Sequence, residues 1–84
     1  MQGRRLPDDS WILAPGDYVK VDGVWHLRAP LNMSGKSYVG TLSTHTVVEH
    51  EDGTITVSPS ILQQWGDGEM IWHGFLEHGV WRSC

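Results

Sequence analysis

Five histidines, a single cysteine and a few cations are the groups in this 84-residue sequence whose types could do chemistry. His45, His50, His73 and Cys84, with Glu49 beside them, are the residue types that ligate zinc. Their spacing does not close a site within one strand. His45 and His50 stand five apart, as do His73 and His78, so in extended chain each pair points to opposite faces. A zinc site would have to be assembled from separate hairpins, with His73 and Cys84 as its nucleus. The same two residues have the composition of a thiolate beside a base. Neither an oxyanion donor cluster nor a helix N-terminus accompanies them in the sequence, so no catalytic residue is assigned.

Gly35-Lys36-Ser37 has the ending of a phosphate-binding loop, but that motif needs a glycine where this chain has Pro30. Lys36 is then one cation on a loop, able to meet a phosphate as a point charge. Trp25, His26, Arg28, Trp72 and His73 make an aromatic and cationic set of the kind found at ligand sites and interface hot spots. Trp25 and Trp72 have apolar strand neighbours and are assigned to the core. His26 and Arg28 share a face that reaches solvent.

These groups must be positioned by hairpins. Asp22-Gly23, Asp52-Gly53 and His78-Gly79 each interrupt strand-like sequence with an X-Gly pair, the signature of a two-residue turn that needs positive φ. Three hairpins of this type imply about six strands. They are placed at Asp17–Val21, Val24–Ala29, Thr44–Glu51, Thr54–Ser58, Met70–Glu77 and Val80–Ser83. Counting outward from the first turn pairs Val21 with Val24 and Val19 with His26 on one face, and Lys20 with Trp25 and Tyr18 with Leu27 on the other. Both faces carry apolar groups, so both are expected to be covered. The second turn puts His50, Ile55, Val48 and Val57 on one face. In the third, Phe75 meets Arg82 and His73 meets Cys84, while Trp72, Leu76 and Trp81 fill the opposite, inner face. Helix has little support; Asp8-Asp9-Ser10 suits at most a short turn starting at Trp11. The expected fold is all-β, a small antiparallel barrel or sandwich that hides its edges, forming one domain over residues 1–84.

Two long connections remain, Pro30–Gly40 and Pro59–Glu69, and connections of that length are where a small scaffold carries its binding groups. Trp65 lies in the second of them, flanked by Gln64 and Gly66-Asp67-Gly68; it either tucks over the core or is a contact residue. The expected partner-binding set is Trp65, His26, Arg28, Lys36, His45 and His73. A net charge of −4 with six Lys plus Arg leaves no basic stripe, which disfavours general nucleic-acid binding. One cysteine excludes an internal disulfide and fits a reducing cytoplasm. The polar start and the lack of a long apolar run give no export signal and no membrane span. Open strand edges on a small core make a homodimer reasonable.

The string Val48-Glu49-His50-Glu51-Asp52-Gly53-Thr54-Ile55-Thr56-Val57-Ser58-Pro59-Ser60-Ile61-Leu62, followed by Trp72-His73-Gly74-Phe75-Leu76-Glu77-His78-Gly79-Val80-Trp81, resembles a family of small uncharacterised phage and prophage proteins. The resemblance covers the C-terminal half and implies a phage or prophage gene expressed in bacterial cytosol. Members of that kind carry further cysteines upstream that suggest a metal site, whereas this chain has Asn32, Met33, Ser34 and Gly35 there. The expectation is therefore a non-enzymatic accessory module that binds a host defence or regulatory protein. The alternative is a protein that sequesters a nucleotide signal, or binds metal, through Arg28, Lys36, His45 and His73.

Overall fold

The computed structural model describes residues 1–64 and 66–84, and within them the chain is all-β with no helix. Nine strands form three sheets. The first contains β1 (Arg4–Arg5), β2 (Asp17–Val21), β3 (Val24–Arg28) and β4 (Val39–Thr41) in that order, with β1 parallel to β2 and the rest antiparallel. The second pairs β5 (Thr46–Glu49) with β6 (Ile55–Ser58). The third runs β7 (Ile61–Gln64), β8 (Met70–Glu77), β9 (Val80–Ser83). These sheets are not closed into a barrel, because β4 and β7 each end a sheet without pairing with one another. The Ser58–Pro59 peptide between β6 and β7 is cis.

The first and third hairpins have the register that their turns dictate. Asp22 and Gly23 have φ of 53° and 80°, and His78 and Gly79 have 46° and 75°, so each pair makes the tight turn whose two central residues are both left-handed. Val21 accordingly faces Val24, and Glu77 faces Val80. The second hairpin corrects the sequence-based register. Gly53 has φ 87° whereas Asp52 stays outside the left-handed region. The Asp52 carboxylate accepts the Thr54 N–H at 3.0 Å and the Thr54 hydroxyl at 2.6 Å, which favours a three-residue loop closed by His50 N–H to the Thr54 carbonyl at 2.8 Å. The extra loop residue slips the pairing by one, so Val47 faces Val57 and Glu49 faces Ile55. Val48 therefore sits on the exposed face with Thr56, opposite the buried Ile55 and Val57.

Both faces of the first hairpin are covered. Tyr18 and Leu27 join Ile55, Val57, Leu76 and Trp81 in the main core, while Val19 and Val21 on the reverse face pack under Leu13 and Leu6. That second cluster exists because the chain between β1 and β2 folds back over the sheet, tied by Leu6 N–H to the Tyr18 carbonyl and Asp9 N–H to the Lys20 carbonyl. The start of the chain shields the outer edge of β9: Gly3 donates to the Gly79 carbonyl and Trp81 to the Met1 carbonyl.

Asp17 is the buried charged residue of the fold, 3% exposed. Its carboxylate accepts Arg4 Nε and Nη2 at 3.1 and 2.9 Å and the Ala14 N–H at 2.9 Å. Burial pulls its pKa upward, but those hydrogen bonds and the positive charges of Arg4 and Arg28 outweigh burial and hold it below the ordinary 3.8. A depressed carboxylate stabilises the fold above its unfolded pKa, and that contribution is lost as pH falls through the folded value. Asp17→Asn should thus cost about 2 kcal/mol at neutral pH, the range for a hydrogen-bonded charge. The difference between the two proteins should vanish once Asp17 is protonated in both states. Urea titrations across the acid range check this, and a pH-independent difference would refute the ionic origin.

Candidate binding surface

The surface with the strongest chemical character is one that the sequence reading passed over. The segment from Leu6 to Gly16 leaves Trp11 73% and Ile12 90% exposed. The Trp11 ring meets the His26 imidazole edge-on, with centroids 6.1 Å apart. His26 lies on β3 opposite Thr41 of β4 and its Nδ1 is 3.1 Å from the Val24 carbonyl oxygen. Val24 and Val39 on the same two strands are also exposed. A tryptophan standing in water beside a half-buried histidine is an unusual use of the residue type best suited to interface anchoring. The signal available in the sequence was the Trp11-Ile12 pair inside a stretch bracketed by Pro7 and Pro15.

The remaining expected site residues disperse. Arg28, half-buried on β3, donates from Nη1 to the Leu13 carbonyl at 3.0 Å and from Nε to the Ser37 hydroxyl at 3.3 Å. Ser37 passes the chain of bonds on to the Ala29 carbonyl. Arg28 is thus a strut that fixes the Trp11-bearing segment and the Pro30–Gly40 connection to β3. Lys36 is exposed and lies 3.5 Å from Glu69. Its loop is pinned by Asn32, which donates to the Ile71 carbonyl at 3.0 Å and accepts from Ser34 and Lys36 N–H. Trp65 lies outside the described residues.

His73 and Cys84 do become neighbours, with Nε2 and Sγ 4.0 Å apart, as the hairpin register required. The imidazole Nε2 is also 3.1 Å from the Ser60 hydroxyl. They line a cleft of about 380 Å³ together with Met1, Met33, Met70, Trp72 and Trp81 and the polar Asn32 and Ser83. His50 is elsewhere. It stacks on His78 with centroids 4.0 Å apart and places Nε2 2.7 Å from the Thr56 hydroxyl, which also accepts the His78 N–H. This contact joins the second and third hairpins. His45 and His73 both reach Ser60, at its carbonyl and its hydroxyl, but among the described residues no three His, Cys, Asp or Glu side chains gather as a metal site.

His45 belongs to a second cleft of about 280 Å³, bounded by β4 on one side and β7 on the other. Its Nε2 lies 3.0 Å from the Ser60 carbonyl, a partner that can only accept, so Nε2 is the donor. Gln63 of β7 reaches across and donates from Nε2 to the Tyr38 carbonyl at 3.1 Å. Among the described residues, His45 Nδ1 and Gln63 Oε1 are buried without a hydrogen-bond partner. An unmatched buried polar group costs about 1–3 kcal/mol. Two of them in one small cleft make the arrangement between β4 and β7 the least satisfied polar region described.

Elsewhere on the surface Arg5, Lys20, Lys36 and Arg82 are each paired with a carboxylate. Arg5 holds Glu49 at 2.8 Å and lies 5.0 Å from the Trp25 ring centroid. The Arg5 hydrogen bond lowers the Glu49 pKa from its usual value, and the hydrogen bonds from Thr54 do the same for Asp52. No family profile, curated protein or solved structure matches the chain, so its own side chains carry the functional argument.

Proposed function

We propose that the protein is a small non-enzymatic binding module, encoded by a phage or prophage, that engages a host bacterial protein in the cytoplasm. The single observation behind this reading is the exposed Trp11-Ile12 pair against His26, next to the uncovered β4 edge. Its apolar centre suits a partner with an apolar pocket. The phage setting rests on the resemblance of the C-terminal half. Sequestration of a phosphorylated small molecule draws less support, because Arg28 directs donors to Leu13 and Ser37 and Lys36 faces Glu69.

Trp11→Ala tests the reading without endangering the fold, since the side chain is largely in water. The immobilised chain and the variant are each challenged with bacterial lysate, and any differentially captured protein is purified and titrated. Affinity for that protein should fall about 30-fold or more in Trp11→Ala, the effect of losing an interface anchor of 2 kcal/mol. Equal capture by both forms, with unchanged thermal stability, would remove this surface as the binding site.

A further inference from the structure

We propose that the cleft between β4 and β7 receives an extended, uncharged segment of a partner polypeptide, which adds to the β4 edge as a new strand. The inference deepens the binding-module reading and rests on it for the existence of a protein partner. Four observations carry it. First, β4 and β7 are each the outermost strand of a sheet, and they face one another across the same cleft. Second, Leu42 donates its N–H to the Trp25 carbonyl, so the alternation of an antiparallel ladder turns Gly40 and Leu42 toward β3 and aims the backbone groups of Val39 and Thr41 into the cleft. Among the described residues neither has another backbone partner.

Third, the edge strand, though only three residues long, is chemically unguarded. Val39-Gly40-Thr41 contains no charge, proline or bulge, the devices that keep strand edges from pairing, whereas the opposite edge of the same sheet is Arg4-Arg5. Fourth, the Gln63 side chain spans the cleft from β7. Its amide donates to the Tyr38 carbonyl at 3.1 Å, and Gly40 leaves room for it: a Cβ there would lie 3.2 Å from Gln63 Nε2. The fit is imperfect, since among the described residues Gln63 Oε1 and His45 Nδ1 remain unmatched. A guest strand would pair with the outward backbone groups of Val39 and Thr41 and displace the Gln63 side chain to water.

The cleft also selects its occupant. Leu27, Leu42, Ile61 and Ile71 line it and no charged residue does, so alternate guest side chains must be apolar. A second folded copy would have to bring its own β7 against the β7 already standing across the cleft, whereas a lone extended segment needs only the width of one strand.

A displayed library of random linear heptapeptides is the probe. Enriched peptides should alternate apolar β-branched residues and lack central proline. Their affinity should fall at least 10-fold in Thr41→Pro, which removes an outward N–H and is tolerated where that group bonds no neighbouring strand. It should rise several-fold in Gln63→Ala, which removes the side chain to be displaced. If Thr41→Pro unfolds, peptides N-methylated at alternate residues give the same test on the unaltered protein, with one methylation phase expected to abolish binding. No enrichment, or binding that survives both Thr41→Pro and either methylation phase, would overturn the proposal. Failure of the library with a Trp11-dependent host partner still captured removes the strand site alone; bound peptides without any such partner remove the host-protein reading alone.

Discussion

Trp81→Ala is expected to remove about 3–5 kcal/mol of stability, the range for deleting a buried large aromatic ring. A loss of that size is a large share of the 5–15 kcal/mol that holds an ordinary small domain folded. The side chain is 2% exposed and meets Trp72 edge-on with centroids 5.2 Å apart. Its indole N–H is the donor for the Gly16 carbonyl at 2.9 Å in a buried bond, and its backbone N–H and carbonyl hold Met1. One residue therefore ties β9 to the start of the chain and to the end of the segment that presents Trp11. Trp81→Phe separates the contributions. It keeps most of the apolar volume and removes the indole donor, while the Gly16 carbonyl retains the Arg4 N–H at 3.2 Å, for a smaller loss of about 0.5–1.5 kcal/mol. Urea unfolding followed by circular dichroism measures both. An alanine variant less than 1 kcal/mol below the parent would show that the core does not depend on this ring.

The hairpins were legible in the sequence because the turn residues state their own geometry. Asp22-Gly23 and His78-Gly79 both adopt the positive φ pair that their types favour, and the partners Val21–Val24, Tyr18–Leu27, Phe75–Arg82 and Leu76–Trp81 follow by counting. Asp52-Gly53 has the same letters but a different neighbour. Thr54 offers both an N–H and a hydroxyl to the Asp52 carboxylate, and that local bond favours a longer loop. A one-residue slip was enough to exchange Val47 and Val48 between faces. Local sequence could not disclose it, because both residues are valine.

β1, β4 and β7 were not legible, and for a common reason. Each is short and poor in strand-forming pattern: Arg4-Arg5 is charged, Val39-Gly40-Thr41 is centred on glycine, and Ile61-Leu62-Gln63-Gln64 is not alternating. They are strands because a formed neighbour offers them a ladder, which is a tertiary effect. The candidate surface depends on these same elements, so it was hidden with them. His26 was identified, but its companion Trp11 was read as the start of a turn. His73 and Cys84 were paired correctly because they belong to a hairpin whose register was readable. Arg28 looked like a ligand-binding cation because its residue type is shared by ligand sites and structural struts; only the positions of Leu13 and Ser37 assign it to the second role here.

Gly74→Ala should be the most damaging of the small substitutions, and for crowding rather than for backbone conformation. Gly74 sits in β8 between Ile61 of β7 and Ser83 of β9. A Cβ at this position would collide with the Arg82 carbonyl oxygen, and would lie 2.6 Å from Trp72 Cη2 and 2.8 Å from the Ser83 Cα. Two of those three obstacles are backbone of the paired strand, so no rotamer change relieves them, and β9 must move away from β8. The first ladder bonds to weaken would be those that seat Trp81, which couples the cost of overpacking to the loss of the core ring. We expect more than 3 kcal/mol of destabilisation, above the usual 1–3 kcal/mol for overpacking alone. Fast exchange at the Phe75 and Trp81 amides should accompany it. Gly23→Ala is the control: Gly23 has φ 80° but nothing within 4 Å of its added Cβ, so the variant carries only the left-handed backbone penalty of about 1–2 kcal/mol. If Gly74→Ala were no worse than Gly23→Ala, the close approach of β8 and β9 could not be what demands glycine at this position, and the seating of Trp81 would have to be explained by its side-chain contacts alone.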